Sequence, residues 1–355
     1  MSTQTEMKKE QLPVAEKKKA GFTDWFKNGA GLKATVLALI LMILLQCVVI
    51  SFNEGSVAAL PAKLWQAWLN ILRNNTYTGI IALGMCFVIV SGGIDLSVGS
   101  MTCAIGAALM YLLDPAAGLL ASLGITGFPA YLIAILAAVL FGFLFGEING
   151  LLITYGKIPP FIVTLGTMKI FRSVTQQLTK HFNPVVPAGF KQIASYRIGG
   201  QVILPILYWV AIVVVMHLLF KKTAFGKQVV AVGSNERAAR YSGINVNAVK
   251  RRVYAICGIM CGIAAAIYIA RLGSMDFANA GSGYEMESIA AVVVGGTAMS
   301  GGKGNLIGAF LGMLIIGVMN NVLNMLGVPT FLCDAVRGAI IIVAVLVQRR
   351  DKAGE

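Results

Sequence analysis

The chain has 355 residues, of which 57% are hydrophobic and only 12% are charged, and its mean hydropathy is +0.79. A soluble protein cannot cover that much apolar surface, so the composition excludes the two or three soluble domains that the length alone would suggest and indicates a polytopic membrane protein. The formal net charge of +14 does not indicate nucleic-acid binding, because the basic residues lie in the N-terminal tail and at the ends of apolar runs, as the positive-inside rule requires.

Residues 1–33 form the first predicted region, a cytoplasmic tail. The tail carries seven lysines against four acidic residues and lacks the apolar core of a signal peptide. A second short cytoplasmic tail, 351–355, ends the chain. Residues 34–350, which lie between the two tails, are predicted to form a single transmembrane domain.

Long apolar runs alternate with polar or glycine-rich segments through this domain. At about 1.5 Å of rise per residue such runs can cross the hydrocarbon, so we predict an all-α membrane protein with about ten transmembrane helices. Counts of eight to eleven stay open, because some runs are short or broken. The predicted spans are 34–52, 77–91, 96–113, 131–155, 161–174, 202–220, 253–270, 288–299, 306–326 and 331–347.

The stretch between the second and third spans reads SGGIDLSVGS, residues 91–100. Only glycine, serine and one aspartate separate the spans here, which predicts a tight or broken turn near the inner face. Asp95 precedes the predicted start of a helix, where the helix dipole favours an acid, so we prefer a capping role over contact with a solute. The residues assigned to this structural turn are Gly92, Gly93, Asp95, Ser97 and Gly99.

The fourth and fifth spans contain polar residues of two kinds. Small residues at helical spacing in the fourth span predict close helix packing, and Glu147 and Asn149 are predicted to pack or hydrogen-bond between helices. In the fifth span, Thr164 and Thr167 have polar edges that suit a hydroxylated solute, although helix hydroxyls more often bond to the carbonyl four residues back. Both threonines are candidates for the solute pathway.

Residues 221–252 form a polar island of 32 residues between two apolar runs. Eight of them are Lys or Arg and only Glu236 is acidic, which marks a cytoplasmic loop. Residues 234–242 can form a short helix with Ser234 as its N-cap residue. Such a helix suggests that a cytoplasmic partner binds there, the alternative being an ordinary loop that only sets the topology.

The last spans add polar residues but no catalytic motif. Asn320, Asn321 and Asn324 are assigned to two faces of the ninth helix, and at least one is predicted to face the bundle interior or a wet pathway. Asp334 and Arg337 predict an ion pair along one helix. The glycine-rich segment 300–304 lacks the Gly, Lys, Ser/Thr order of a P-loop. We find no catalytic residues, no metal site and no enzyme in this chain.

The two halves of the chain show a weak internal sequence similarity, in which residues 92–99 align with residues 295–302. Transporters often carry paired glycine-interrupted segments of this kind, one in each half.

Four sequence motifs, taken together and in order, are highly specific for one protein family. They are SGGIDLSVGS at 91–100, PPFIVTLGTM at 159–168, AVGSNERAARYSGINV at 231–246 and GYEMESIAAVVVGGTAMSGGKGNLIGAFLG at 283–312. In that order they resemble the permease subunit of bacterial ABC importers for monosaccharides. Segments 271–304 and 320–328 look most like ribose permeases, while galactose-type, xylose-type and autoinducer-2-type permeases are close alternatives.

The resemblance implies partners that the chain itself does not contain. Such permeases sit in the bacterial inner membrane with both termini in the cytoplasm, pair as dimers, surrounded by lipid, and receive the sugar from a periplasmic binding protein. ATP and Mg²⁺ bind to a separate cytoplasmic ATPase, so no cofactor is expected here. The short helix of the island corresponds to the coupling helix that enters an ATPase cleft. The residues carried over to that role are Gly233, Ser234, Asn235, Glu236, Ala238, Ala239, Ser242 and Gly243.

The resemblance also assigns the outer loops to the binding protein, with the acids Glu54, Asp276, Glu285 and Glu287 as docking charges. The competing hypothesis is a stand-alone secondary carrier. Such a carrier needs an acid and a base near the bilayer midplane to cycle protons, whereas this chain places its acids near the ends of its spans.

Overall fold

The computed structural model describes residues 30–54, 57–180, 182, 184–329, 332–340 and 342. Residues 1–29 of the predicted N-terminal tail, the C-terminal tail 351–355 and the end of the last predicted span lie outside the described residues. The described helices are α1 (Ala30–Glu54), α2 (Leu60–Asn74), α3 (Thr76–Val90), α4 (Val98–Leu113), α5 (Leu119–Ser122), α6 (Phe128–Thr154), α7 (Pro160–Thr179), α8 (Ala188–Ser195), α9 (Leu204–Lys222), α10 (Ala224–Ser234), α11 (Glu236–Tyr241), α12 (Val246–Leu272), α13 (Tyr284–Val294) and α14 (Leu306–Met325). Residues 332–340 are also helical, Val57–Ala59 form a 3₁₀ turn, and β1 (Arg197–Ile198) pairs with β2 (Gln201–Val202) in an antiparallel hairpin.

Five helices are long and apolar enough to cross a membrane by length and composition, namely α1, α6, α9, α12 and α14. Helices α3 and α4 are also apolar but have only 15 and 16 residues. The predicted all-α polytopic membrane architecture is thereby confirmed. The count of ten spans stays a prediction, because the fifth predicted span forms α7, which carries Lys169 and Arg172, and the eighth forms α13, which has 11 residues.

Helix α12 lies at the centre of the bundle and is buried along most of its length. It packs against α6 at glycines of both helices. A Cβ atom added at Gly142 would overlap the carbonyl oxygen of Gly258, and one added at Gly258 would overlap that of Gly142. Glycine is therefore required on both sides of this contact, which confirms the close packing predicted for the fourth span.

The polar island differs from its predicted form at its C-terminal end. Helix α12 begins at Val246 rather than at residue 253, so it starts inside the island. Asn245 caps its first turn, where the Asn245 Oδ1 accepts a hydrogen bond from the Ala248 N–H at 3.0 Å. Val246, Val249 and Val253 are buried on one face of the helix, and that apolar stripe extends the helix into the basic segment.

Helices α3 and α13 end in the same way. After α3, the N–H groups of Gly92 and Gly93 both donate back into the last turn at 2.9 Å, and after α13 those of Gly296 and Thr297 do the same at 2.9 and 3.1 Å. Gly92 and Gly296 have φ angles of +84° and +85°, the left-handed conformation that commonly ends a helix. The internal similarity of the two halves is therefore present in the structure of these helix ends. Structurally Gly92 corresponds to Gly296, whereas the sequence alignment pairs Gly92 with Gly295.

Candidate functional site

The C-terminal end of α10 meets the ends of α3 and of the segment after α13 at one place. The Gly302 N–H donates to the Val90 carbonyl oxygen at 2.9 Å. Gly233 packs against the same carbonyl so closely that a Cβ atom there would overlap it, and Gly301 packs against the backbone of Gly92. We call these five residues the glycine junction. The glycine junction connects the island to the two similar helix ends, which are those of α3 and α13.

Helix α11 follows directly after the junction. Its N-cap residue is Asn235, whose Oδ1 accepts a hydrogen bond from the Ala238 N–H at 3.0 Å. The prediction of Ser234 as the N-cap residue is wrong, because α10 continues through Ser234 and the Ser234 hydroxyl donates to the Val230 carbonyl at 2.8 Å. The short helix itself is confirmed over Glu236–Tyr241.

The residues assigned to ATPase contact fall into two groups. Ala239 is buried and Gly233 belongs to the glycine junction, so these two hold the segment against the bundle. The others are exposed at the surface, namely Ser234, Asn235, Glu236, Ala238, Ser242 and Gly243.

Glu236 is already paired within the chain. Its Oε2 accepts from the Lys250 Nζ at 2.6 Å, and its Oε1 lies 3.4 Å from Arg240 Nη2. The hydrogen bond from Lys250 is the main cause that lowers the pKa of this carboxyl, and desolvation opposes it. Glu236 therefore connects α11 to the second turn of α12, which is a role that the sequence interpretation did not foresee.

Tyr241 is the functional candidate that sequence reasoning missed. Its side chain is 91% exposed at the end of α11, between the exposed Arg240 and Ser242. A large aromatic side chain left in solvent on a short exposed helix is a typical anchor for a partner protein. A signal was present in the sequence, since Tyr is unusual in such a polar loop.

The turn after α3 is packed and internally bonded. Asp95 is fully buried, and its Oδ1 accepts from the Ser97 N–H at 2.9 Å and from the Ser97 hydroxyl at 2.6 Å. Asn149 Nδ2 donates to the same hydroxyl at 2.8 Å, and the Tyr254 hydroxyl donates to the Ile94 carbonyl at 3.2 Å. These bonds make Asp95 a turn-forming residue three positions before Val98, the first helical residue of α4, and the N-cap residue is Ser97 rather than Asp95.

A polar cavity of about 320 Å³ lies at the opposite end of α3 from the glycine junction. We call that end of the bundle the far end and the end with α10 and α11 the island end. Asn320, Asn321 and Asn324 all line the cavity together with Gly317. The asparagines nevertheless bond in two directions, because Asn320 accepts a hydrogen bond from Arg337 Nε at 3.2 Å and Asn321 accepts one from Gln46 Nε2 of α1 at 2.9 Å.

Thr164 and Thr167 do not reach this cavity, whose lining does not include them. Both are buried, and their hydroxyls donate to the carbonyls of Pro160 and Val163 at 3.0 and 3.1 Å. The bonding alternative that the sequence left open is thus the one observed. Their place in a solute pathway stays a prediction without support from these contacts.

A second polar cavity, of about 270 Å³, lies beside α7 and is lined by Ser100, Lys169, Arg172 and Glu285 among others. The Arg172 Nη1 donates to the carbonyl of Ala280 at 2.7 Å, which holds the non-helical segment between α12 and α13 in place. Helix α7 also exposes polar side chains, namely Lys169, Ser173, Gln176 and Gln177. A polar face on a helix of this bundle suits a water-filled path or a partner better than lipid.

The four acids predicted as docking charges occupy different surroundings. Glu287 forms an ion pair with Arg337 at 3.2 Å, and Glu285 lines the second cavity, so both belong to the bundle. The exposed Asp276 accepts bonds from Ala278 and Asn279 within its own loop, and the side chain of Glu54 lies outside the described part. The predicted Asp334 to Arg337 pair is confirmed at 2.7 Å, and Glu147 pairs with Arg251 at 2.6 Å.

Comparison with known proteins yields one family and several relatives. The family described as branched-chain amino acid transport system, permease component, matches residues 67–345, which is more than half of the chain. The ribose import permease protein of Bacillus subtilis is 41% identical over 290 residues, 80% of this chain and 85% of the relative. The ribose import permease protein of Escherichia coli is 37% identical over the same shares, and the D-allose transport system permease protein of Escherichia coli is 35% identical over 79% of this chain and 82% of the relative. No solved structure matches the chain.

Proposed function

This chain belongs to the family of transport-system permeases that these relatives represent, and from that premise we propose that it is the membrane-spanning subunit of an ATP-driven sugar importer, with ribose as the first candidate substrate. A permease of this family is a component of a transporter and not an enzyme. The observation that carries the choice of substrate is the identity of 37–41% to ribose permeases over 80% of the chain. Allose and xylose permeases are also similar, at 35% and 32% identity.

A branched-chain amino acid is the second candidate substrate, because the matching family is described by that name. A branched aliphatic side chain needs an apolar wall. The far-end cavity is instead lined mostly by polar groups, namely amides, phenols, a hydroxyl, a carboxylate and a guanidinium, with Ile71 contributing an aliphatic side chain, and such a lining suits a solute with many hydroxyls. The polar lining therefore favours the sugar.

The island supports the proposed coupling to an ATPase. Its exposed residues around Glu236 and Tyr241 offer a contact surface, and the glycine junction connects that surface to both helix breaks through backbone contacts. A displacement of α11 by an ATPase would therefore be transmitted to the ends of α3 and of the segment before α14. ATP and Mg²⁺ belong to that partner.

The remaining partners follow from the same proposal. In this proposal the bacterial inner membrane surrounds the apolar helices and both termini lie in the cytoplasm with the island end, an orientation that the basic island supports through the positive-inside rule. The far end then faces a periplasmic sugar-binding protein. The polar face of α7 is the surface best suited to a second copy of the chain, with the solute path between the two copies.

The proposed orientation predicts opposite labelling of two exposed serines. Ser234 lies at the island end and Ser274 follows the far end of α12. In Ser234→Cys, a membrane-impermeant maleimide is expected to react only from the cytoplasmic side, and in Ser274→Cys only from outside. The six native cysteines, measured in the parent chain, supply the background. The reverse pattern would invert the topology.

Reconstitution tests the function itself. The chain in proteoliposomes, together with its ATPase and binding protein, is expected to accumulate radiolabelled ribose only when ATP is present. Leucine, allose, xylose and galactose, tested in the same vesicles, define the substrate. A proton gradient that drives uptake by this chain alone would make it a secondary carrier and contradict the proposal.

A further inference from the structure

The far-end cavity contains a set of amide groups whose orientation is determined by neighbouring arginines. Arg271 Nη2 donates to the Asn74 Oδ1 at 2.7 Å, and Arg337 Nε donates to the Asn320 Oδ1 at 3.2 Å. Arginine is a donor only, so it can bond only to the oxygen of each amide. The NH₂ groups of Asn74 and Asn320 therefore point away from the arginines, and both residues line the cavity.

A third amide is also oriented by an arginine, whereas a fourth is oriented through its NH₂ group and leaves its oxygen free. Arg73 donates to the Asn70 Oδ1, which leaves the NH₂ group of Asn70 as a donor. Asn75 uses its own NH₂ group to donate to the Ile71 carbonyl at 2.7 Å, so its oxygen remains as an acceptor. The cavity thus presents at least three oriented donors beside one oriented acceptor.

The walls of the cavity are graded from exposed to buried. Asn70, Asn74 and Asn324 are exposed at the rim, while Asn75 is buried and Asn320 is half-buried. The ion pair of Glu287 with Arg337 adds a carboxylate acceptor deeper inside. The cavity is therefore open to solvent at the far end, and its inner wall combines the buried Asn75 and the ion pair with the buried side chain of Ile71.

The size restricts the occupant to one small molecule. Small-molecule sites typically enclose roughly 300–1,000 Å³, and this cavity, at about 320 Å³, lies at the lower limit of that range. A hydroxyl group both donates and accepts hydrogen bonds, so a polyol can meet the amide donors and the carboxylate and carbonyl acceptors together. The Glu287 carboxylate and the Arg337 guanidinium pair with each other, so the cavity lining presents no net charge to an anion, and an aliphatic side chain would leave the amides unpaired.

We propose that this cavity is a monosaccharide-binding site within a single protomer, in which the sugar is received at the far end before it enters the membrane path. The proposal rests on the proposed function as a sugar permease and adds a location and a recognition mode. The arginines act as positioning residues, because they orient the amides toward the sugar. The site is separate from the polar face of α7 and the second cavity beside it.

Protection of a rim cysteine tests the site. Asn324→Cys is prepared in the full chain in nanodiscs and labelled with a maleimide at increasing D-ribose. At ten times its half-protecting concentration, D-ribose is expected to slow labelling about tenfold by mass action. Ser274→Cys, an exposed residue that does not line the cavity, is the matched control and is expected to label at an unchanged rate. Equal protection of both cysteines, or protection of neither, overturns the site.

A donor-to-acceptor exchange tests the recognition mode. Asn74→Asp, combined with Asn324→Cys, keeps the size of the side chain and an oxygen for Arg271 but replaces the NH₂ donor. We expect the half-protecting ribose concentration to rise roughly tenfold, since one hydrogen bond is lost and two acceptors meet. Asn245→Asp is the control, because it lies at the island end and an aspartate caps a helix as well as an asparagine. An unchanged protection curve in Asn74→Asp contradicts the assigned donor.

Uptake by the complete transporter separates this site from the proposed function. If ribose is taken up with ATP but does not protect Asn324→Cys, the cavity proposal fails and the permease remains. If no sugar is taken up, the function fails. Protection by the binding protein without any sugar would show that the cavity receives that protein instead, and this too would overturn the proposal.

Discussion

Replacing Gly233 by alanine is expected to abolish ATP-driven ribose uptake and to destabilise the protein. The new Cβ atom would overlap the Val90 carbonyl oxygen and approach the backbone nitrogen of Gly302. Both obstacles are backbone atoms, so no side-chain rotation can relieve the overlap. Overpacking of this kind costs about 1–3 kcal/mol, and here it would separate the island from both helix breaks. Thermal unfolding of the purified chain and uptake in proteoliposomes measure the two effects.

The matched control for this substitution is Gly338→Ala. Gly338 lies in the helical segment 332–340, and a Cβ atom there would meet nothing within 4 Å. Alanine in a helix is favoured over glycine by roughly 0.5–1 kcal/mol, so stability should stay equal or rise slightly while uptake is unchanged. Wild-type uptake and stability in Gly233→Ala would mean that the glycine junction can open without consequence, and the transmission route would have to be abandoned.

Replacing Tyr241 by alanine is expected to weaken the binding of the ATPase by about 2 kcal/mol, or roughly thirtyfold in Kd. The side chain is 91% exposed on α11, so its removal costs no buried contact within the chain. The loss therefore reports on the partner and not on folding. Titration of the ATPase onto the permease in nanodiscs measures the change directly, and ATP-driven uptake should fall in parallel.

Tyr196→Ala is the matched control, because it removes an exposed tyrosine side chain at a different place on the surface. Tyr196 is 59% exposed but follows α8 at the far end of the bundle, away from α10 and α11. ATPase affinity should be unchanged in this variant. If Tyr241→Ala binds the ATPase as tightly as the parent chain, then α11 is an ordinary loop element and the coupling surface must lie elsewhere.

Local sequence features predicted the island well except where two helices compete for one residue. Ser234 and Asn235 are both good N-cap residues, and sequence alone favoured the first. The structure selects Asn235 because α10 extends through Ser234, and the last turn of α10 packs against the Val90 carbonyl at Gly233. The early start of α12 has a similar origin, since its first buried valines need the rest of the bundle as a partner.

The polar side chains of the membrane domain show the limit of sequence analysis more strongly. The sequence indicated Asn320 and Asn324 as candidates, but Asn74 and Asn75, which line the same cavity, are more than 200 positions away in the chain. Thr167 had equal promise by composition, yet its hydroxyl is bonded within its own helix. Whether a polar group faces a cavity or a neighbouring carbonyl depends on the rotation of its helix, which no local pattern encodes.

Some properties of this protein follow from the sequence by itself. Membrane class, helical character and the basic island depend on composition, hydropathy and charge, which add up residue by residue along the chain. The tertiary structure alone decided the glycine junction, the exposure of Tyr241 and the oriented amides of the far-end cavity. These features depend on distances between helices that are remote in sequence, and packing sets those distances. One glycine determines how closely two backbones approach, and one arginine determines which way an amide points.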